Sequence, residues 1–291
     1  HRFVGELANR LGSIAPSNIV IGLEPSFFVT NADVYALVDQ KMLTGETLFV
    51  SAPLCRLMTK EEFTAVVGHE LGHFRGADTA YSMKFSPVYS GMAQAISALH
   101  SSEEEGATSY AKIPALAVLS YMYEVFARNE TKVGRERELI ADQAGAEASG
   151  PKALATALGK VSFYSSLWAH LQQNNIDRLG EGRVTKNLSS VFLDSSKYDV
   201  EHERFDEILK AILEKRISHP TDTHPTFSER LAGLEIDPEE LTKNDILPPD
   251  IGAIELIDSY SEIEEKLTLF EHQWRIATQQ VELPQEEEQK V

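Results

Sequence analysis

The sequence predicts an α+β protein that is predominantly helical and has a small β-sheet near its N-terminus. Two observations support this fold class. Segments rich in β-branched and aromatic residues, separated by glycine, proline and polar turns, are concentrated in residues 18–53. From Thr59 onward, apolar residues instead recur at the three- and four-residue steps of a helix. We therefore expect helices to form most of the body.

The N-terminal part is predicted to contain one short helix followed by the strands. Residues 3–12 have the amphipathic pattern of a helix. The β-rich segments are "NIVIGLEP", "SFFVTNADVYALVD" and "ETLFVSAP". We expect these three segments to form a single small sheet.

A longer helix is predicted to begin at Thr59, because Glu62 three residues later completes a capping box. Gly76 is a suitable residue to end this helix. Its apolar stripe consists of Phe63, Val66, Val67, Leu71 and Phe74.

Further helices are predicted from the same periodicity, with a break at Gly150 and Pro151. The polar residues 174–198 predict a loop or flap between two of them. The predicted helices span residues 87–100, 113–129, 134–149, 151–173 and 200–216.

The C-terminal part is predicted to contain a last amphipathic helix that packs on the body. Trp168 and Trp274 both lie at helical core spacings, so we interpret them as packing residues. The apolar positions of the last helix recur at steps of three to six residues and are Ile254, Ile257, Ile263, Leu267, Phe270 and Trp274.

The composition is that of an ordinary globular protein, with 42% hydrophobic and 25% charged residues. The 45 acidic and 27 basic residues give a net charge of -18, which argues against nucleic acid as a partner. Cys55 is the only cysteine, so the sequence excludes an intrachain disulfide. Any metal site must therefore use nitrogen and oxygen ligands.

The sequence indicates neither a membrane span nor a signal peptide. The most apolar run, residues 113–127, contains Glu124 and is shorter than the roughly 20 residues that a span requires. The chain begins at His1 rather than at methionine. We therefore expect a processed or excised product whose N-terminal residues are missing.

Two histidines on the helix that begins at Thr59 are candidate metal ligands. Positions i and i+4 lie about 40° apart around a helix and roughly 6 Å apart along it, so His69 and His73 can bind one ion. Glu70 follows about 100° round, which leaves its carboxylate free to take a proton from a metal-bound water. These residues can also occur by chance in a helix, so a third ligand is needed to decide.

The predicted helix at 134–149 offers the best third ligand. Glu138 and Asp142 are four residues apart, so Glu138 can reach the ion while Asp142 accepts a hydrogen bond from a ligand histidine. Glu136 competes for the ligand role, although no acid follows it four residues later. In an isolated helix these acids would be ordinary surface charges, an alternative that the two histidines weaken.

Three motifs in this order resemble the M48 peptidases, the zinc metalloendopeptidases that include the HtpX and Ste24 proteases. The motifs are "TKEEFTAVVGHELGH", "ERELIAD" and "THPTFSERL", and the matched region spans residues 31–231. The resemblance implies a gluzincin metalloprotease fold, a polypeptide substrate and one zinc ion per chain.

The resemblance also implies roles for the candidate residues. His69, His73 and Glu138 correspond to the zinc ligands, and Glu70 corresponds to the general base that activates the zinc-bound water. Asp142 takes the position of a family aspartate that supports a ligand or donates a proton.

Two further matches extend the implied site. His224 matches a family histidine that reaches the active site, where it would stabilise the oxyanion. Arg230 follows about one and a half helical turns later and is not expected on the same face. Asn31 and Ala32 match the edge strand along which gluzincins bind an extended substrate. Asp33 stands where family members often carry an aromatic residue, so subsite preference is expected to differ.

The resemblance favours a membrane-associated protein whose catalytic domain faces the cytoplasm. Many family members have transmembrane helices before the catalytic helix, and this chain shows none. Any membrane attachment is therefore expected to use residues that are absent from this chain. The sequence leaves the oligomeric state open.

The predicted domain division has three parts. A metallopeptidase domain spans residues 1–235, and an acidic linker follows at 236–252. Residues 253–291 contain the last helix and an acidic tail.

Two alternatives to an active protease remain open from the sequence. The segments 78–110 and 174–198 could lie over the cleft, which would make the protease latent. The chain could also be a non-catalytic metal-binding or chaperone-like protein on the same fold. The intact Glu70 argues against this second alternative, because a structural metal site has no need of a base.

Overall fold

The computed structural model describes residues 1–75, 121, 133–202, 205–214 and 225–281, and its helices and strands are numbered here over those residues. The fold class is confirmed, since the protein is mostly helical and has a small N-terminal sheet. Apart from Tyr121, the helices predicted at 87–100 and 113–129 lie outside the described residues.

The N-terminal part contains one helix and five short strands. Helix α1 spans Arg2–Leu11, as the amphipathic pattern predicts. The strands are β1 (Asn18–Gly22), β2 (Phe28–Thr30), β3 (Val34–Ala36), β4 (Lys41–Leu43) and β5 (Thr47–Ser51). Strand β4 is a three-residue strand that the sequence patterns did not predict.

The five strands form two sheets rather than the single sheet expected. The larger sheet has the order β1-β5-β2, with β1 parallel to β5 and β2 antiparallel to it. Strands β3 and β4 pair separately, with Tyr35 opposite Met42. Pairing depends on contacts between distant residues, so strand propensity alone could not separate the two sheets.

Helices α2 (Ala52–Leu57) and α3 (Lys60–Arg75) follow the sheet directly. The predicted capping box of α3 is confirmed. The backbone N–H of Glu62 donates to Thr59 Oγ1 over 3.2 Å, and Glu62 Oε2 accepts from the backbone N–H of Thr59 over 2.7 Å. The start of α3 is therefore fixed by its own sequence.

The main helical region continues with α4 (133–149), α5 (Pro151–Gly180), α6 (Leu188–His202), α7 (Phe205–Glu214) and α8 (Phe227–Gly233). Gly150 separates α4 from α5 at φ 94°, a backbone conformation that favours glycine. The break predicted at this position is confirmed.

The loop predicted at residues 174–198 is wrong. Helix α5 extends to Gly180 and α6 begins at Leu188, so only residues 181–187 are non-helical. Leu179 and Leu188 are almost fully buried, which stabilises the adjacent helix ends. The polar residues of this segment lie partly on exposed helix faces, as at Asn174, Asp177 and Arg178, and partly in the connection at 181–187.

The C-terminal part packs on the body, and its last helix does so through a polar face. After short helical turns at Pro238–Glu240 and Ala253–Leu256, and the short helix α9 (Lys243–Ile246), the last helix α10 spans Tyr260–Ala277. Its buried residues are Glu264, Thr268 and His272. Trp168 is 2% exposed, as expected for a packing residue. Trp274 is 44% exposed, so its interpretation as a packing residue is wrong.

Specific partners explain why α10 buries polar side chains. Glu264 accepts two hydrogen bonds from Arg56, at 2.7 and 2.5 Å, and one from Asn187 at 2.9 Å. Thr268 Oγ1 accepts the backbone N–H of Leu188 over 3.1 Å. Buried polar groups are tolerated when they are bonded in this way. The division at residue 236 stays a prediction.

Helix α3 lies at the centre of the packing, because it contributes to three apolar clusters. Phe63 and Leu71 join the first cluster, with α1 and the sheet. Val66 joins the second cluster, with α2, α5 and α6. Ala65 joins the third cluster, with α5 and α8. Movement of α3 would therefore disturb all three clusters.

Helices α3 and α4 approach each other so closely that glycine is required. A Cβ atom added to Gly145 would lie 2.8 Å from the backbone oxygen of Ala65. A Cβ added to Gly72 would lie 3.0 Å from Cα of Ala141, and one added to Gly68 would overlap the Cβ of Ala148. The two helix backbones are thus in near contact.

A buried ion pair ties the start of α3 to α5. Lys160 is 1% exposed, and its Nζ donates to Glu62 Oε2 over 2.8 Å and to the backbone oxygen of Leu57 over 2.9 Å. Burial lowers the pKa of Lys160, while the charge of Glu62 acts in the opposite direction.

We predict that Gly145→Ala destabilises the protein by about 1–3 kcal/mol, because the new methyl group meets backbone atoms that cannot move aside. Gly5→Ala on α1 is the matched control, since its Cβ would have no neighbour within 4 Å. The control should be neutral or stabilising by up to about 1 kcal/mol, the helix propensity of alanine. Urea unfolding measures both, and equal effects would contradict the close approach.

We predict that Lys160→Met destabilises the protein by about 3–5 kcal/mol, because it leaves Glu62 buried without its cation. The double variant Lys160→Met/Glu62→Gln should recover much of this loss. Glutamine is neutral and can still complete the capping box. The test is the free energy of unfolding of the wild type, Lys160→Met and the double variant. A double variant no more stable than Lys160→Met would refute the explanation.

Candidate metal centre and active site

The two candidate ligand histidines lie one turn apart on α3. The ring centroids of His69 and His73 are 5.0 Å apart, and the ring planes are nearly perpendicular at 89°. The side chain of His69 is 8% exposed and that of His73 is 19% exposed. Both imidazoles are therefore held in a largely enclosed place.

The carboxylate of Glu138, on α4, lies between the two histidines. Its Oε2 is 3.6 Å from His69 Nε2, and its Oε1 is 3.8 Å from His73 Nε2. The three ligand atoms lie within 4.8 Å of one another. Ligand atoms held tetrahedrally at about 2.0–2.2 Å from zinc are separated by roughly 3.4 Å, so this group could hold one such ion.

Asp142 supports the orientation of His69. Its Oδ1 is 2.9 Å from His69 Nδ1, on the opposite side of the ring from Glu138. A proton on Nδ1 that is donated to Asp142 leaves the lone pair of Nε2 directed towards Glu138. This is the arrangement that ligand histidines usually have around metals.

Arg230, on α8, donates hydrogen bonds to both carboxylate oxygens of Asp142. Its Nε donates to Asp142 Oδ2 over 2.9 Å, and its Nη2 donates to Asp142 Oδ1. The same Nη2 is 3.2 Å from His69 Nδ1. The guanidinium, the carboxylate and the imidazole therefore form one contiguous polar group beside the three candidate ligands.

The charges of this group stabilise each other. Burial raises the pKa of Asp142, but the hydrogen bonds from Arg230 and His69 outweigh burial and hold that pKa below its ordinary value. Burial lowers the pKa of Arg230, whereas Asp142 raises it and, with contributions from Glu138 and Glu70, keeps it above the ordinary value. Both side chains are therefore charged at neutral pH.

Glu70, the candidate base, is 8% exposed and lies between the two histidines in sequence. Its carboxylate is near enough to Arg230 to raise the pKa of that residue. Glu136, which competed with Glu138 in the sequence, is exposed and is not part of the cluster. Of these two acids, Glu138 lies in the cluster with the histidines and Glu136 does not.

The remaining candidates lie at the end of an edge strand or outside the described residues. Asn31 and Ala32 directly follow β2, the edge strand of the larger sheet, which lies against α3. The backbone N–H of Ala32 donates to Thr30 Oγ1 over 3.0 Å. His224 lies outside the described residues, so its position is not part of this geometry.

Sequence reasoning underestimated Arg230. Its spacing from His224 argued against a shared face, and the expectation concerned donors to a substrate. The structure instead brings Arg230 onto Asp142, a residue of another helix. The available signal was an acid at 142 in an apolar, alanine-rich stretch, because a carboxylate that is buried there requires a cation or several donors.

None of the helices in the described part of the chain is both long enough and apolar enough to cross a membrane. Apart from Tyr121, the apolar run at 113–127 lies outside the described residues.

The chain is similar to several curated proteases. It is 28% identical over 244 residues to a protease HtpX homolog of Archaeoglobus fulgidus, covering 80% of this chain and 65% of that relative. It is 30% identical over 245 residues to a protease HtpX homolog of Pyrobaculum calidifontis, covering 80% and 66%. Protease HtpX of Legionella pneumophila is 24% identical over 245 residues, covering 80% and 74%.

The chain spans about two thirds of the length of the two archaeal relatives. No solved structure gives a significant match.

A family model described as peptidase family M48 matches residues 6–236. This range covers most of the chain and contains His69, His73, Glu138 and Arg230. The resemblance noted in the three sequence motifs is thereby confirmed. The chain belongs to peptidase family M48.

Proposed function

We propose that the chain is a zinc-dependent metalloendopeptidase that holds one zinc ion through His69, His73 and Glu138. The observation that carries this proposal is the convergence of two imidazole nitrogens and one carboxylate oxygen within 4.8 Å, from two different helices. Two histidines and a glutamate form a donor set typical of catalytic zinc sites, which leave one coordination position open. Zinc bound there supplies Lewis acidity towards a water molecule and a peptide carbonyl.

Glu70 is proposed as the general base. It follows His69 on α3 and is not one of the three clustered ligands, and its charge acts on Arg230, which adjoins His69. A carboxylate oxygen of Glu70 would accept a proton from the attacking water and later deliver it to the leaving amine nitrogen. Asp142 is proposed to support His69, or to donate a proton.

The substrate is proposed to be a polypeptide that binds in an extended conformation along β2 and the residues Asn31 and Ala32. Strand β2 lies at one edge of the larger sheet, and no other strand in the described ranges pairs with its outer side. Backbone groups at a sheet edge can bind an extended peptide by adding it as a further strand. The contact between β2 and α3 supports this proposal, because it places the edge beside the helix of the metal cluster.

Two parts of the proposal rest on the family resemblance alone. His224 is proposed to stabilise the oxyanion of the tetrahedral intermediate. Membrane association, with the catalytic part facing the cytoplasm, is proposed by analogy.

We predict that Glu138→Gln weakens zinc binding by more than the roughly 10–100-fold that residues supporting a ligand contribute. Glu136→Gln, two residues away on the same helix and exposed, is the matched control and should bind zinc like the wild type. Zinc dissociation constants measured by chelator competition decide it. Full zinc occupancy in a His69→Ala/His73→Ala double variant would contradict the proposed ligand set.

We predict that Glu70→Gln keeps its zinc but lowers kcat by about 10²–10⁴-fold, because the amide cannot accept the proton. Glu61→Gln, at an exposed position of the same helix, should retain wild-type kcat. Zinc-dependent cleavage of casein provides the rate, and metal analysis confirms occupancy. An unchanged kcat in the zinc-loaded Glu70→Gln protein would assign the base to another residue.

A further inference from the structure

Two nitrogens of the Arg230 guanidinium, Nε and Nη2, donate to a single buried carboxylate. The side chain of Arg230 is 15% exposed and that of Asp142 is 3% exposed. Asp142 Oδ2 accepts from Arg230 Nε over 2.9 Å, and Oδ1 receives Arg230 Nη2 together with His69 Nδ1. Both oxygens of Asp142 are therefore engaged on the side away from Glu138.

The contact between Arg230 and His69 allows two arrangements of protons. An arginine can only donate, so a hydrogen bond from Nη2 to His69 Nδ1 would require the imidazole proton on Nε2. A protonated Nε2 has no lone pair for a metal. If Nδ1 carries the proton, His69 donates to Asp142 and Nη2 is merely its neighbour at 3.2 Å.

The shared carboxylate favours the second arrangement. His69 Nδ1 is 2.9 Å from the charged oxygen of Asp142, which is closer than its distance to Nη2. Nη2 already has that same oxygen as its acceptor. Hydrogen bonds to a charged acceptor are also the stronger ones. Arg230 and His69 are thus two donors that converge on Asp142.

The same contacts separate the roles of two acids on α4. Glu138 and Asp142 are four residues apart and both approach His69, so either carboxylate could bind a cation held by that histidine. The oxygens of Asp142 are engaged by Arg230, whereas those of Glu138 lie between the Nε2 atoms of both histidines. A dication near Asp142 would also be repelled by the guanidinium.

We propose that Arg230 is a positioning residue for the metal centre. It holds Asp142 as the acceptor for His69 Nδ1–H, which aims His69 Nε2 at the metal and leaves Glu138 as the carboxylate ligand. This inference rests on the proposed function and deepens it, because it requires a metal at His69, His73 and Glu138. Arg230 acts through Asp142 and does not itself touch the metal.

A double-mutant cycle tests whether Arg230 acts through Asp142. Zinc dissociation constants are measured for the wild type, Arg230→Met, Asp142→Asn and the double variant. We expect each single variant to bind zinc about 10–100-fold more weakly. The double variant should bind no more weakly than the worse single one, because both remove the same support. A loss of zinc affinity in the double variant that equals the product of the two single losses would overturn the proposal.

A second readout distinguishes positioning from a merely structural role. The visible absorption spectrum of the Co²⁺-substituted protein reports the ligands around the ion, and we expect Arg230→Met to change it. Arg56→Met is the matched control, because Arg56 also makes a two-bonded pair with a buried carboxylate, Glu264. The control should lose stability while its zinc dissociation constant and cobalt spectrum stay as in the wild type.

Arg230→Lys covers the case in which Arg230→Met does not fold. Lysine keeps the charge but not the planar fork, so we expect an intermediate zinc dissociation constant. The inference about Arg230 would be overturned if Arg230→Lys, and any folded Arg230→Met, kept the zinc dissociation constant and the cobalt spectrum of the wild type. That outcome would leave the proposed function intact. Zinc binding that survives His69→Ala/His73→Ala would instead overturn the proposed function on which it rests.

Discussion

The near contact between the backbones of α3 and α4 is the constraint on which the candidate site depends. Gly145 allows α4 to approach the backbone oxygen of Ala65, and Gly72 allows α3 to approach Ala141. His69 lies on one of these helices and Glu138 on the other, at 3.6 Å. Longer side chains at the glycines would separate the helices and with them the ligand atoms. The small residues therefore set the distances between the three candidate ligands.

Buried charges then fix the orientation of the helices that the glycines bring together. Lys160 and Glu62 join the start of α3 to α5, and Arg230 and Asp142 join α8 to α4. Removing such groups from water is costly unless each charge meets a partner in good geometry. A small rotation of either helix would break these pairs, whereas apolar contacts alone would tolerate it. The ion pairs therefore contribute more to geometry than to net stability.

Most of the features predicted correctly from the sequence are those that one helix determines by itself, whereas the approach of Glu138 and Asp142 to His69 was inferred from the need for a third ligand. The capping box of Thr59 and the spacing of His69 and His73 follow from the helical period. The errors concern contacts between elements: residues 174–198 form helix ends stabilised by burial, and α10 buries Glu264 because Arg56 faces it. The position of Arg230 beside Asp142 likewise depends on how α8 packs, which no local pattern encodes.

The membership of α3 in all three apolar clusters also determines how metal binding and folding are coupled. We expect amide protons in the middle of a segment shared by these three clusters of described residues to exchange with solvent through large-scale opening rather than through local fraying. A metal held by His69, His73 and Glu138 would bind the folded arrangement of α3 and α4 and not the unfolded chain. Its binding free energy would therefore add to the stability of the whole packed body rather than to that of one loop.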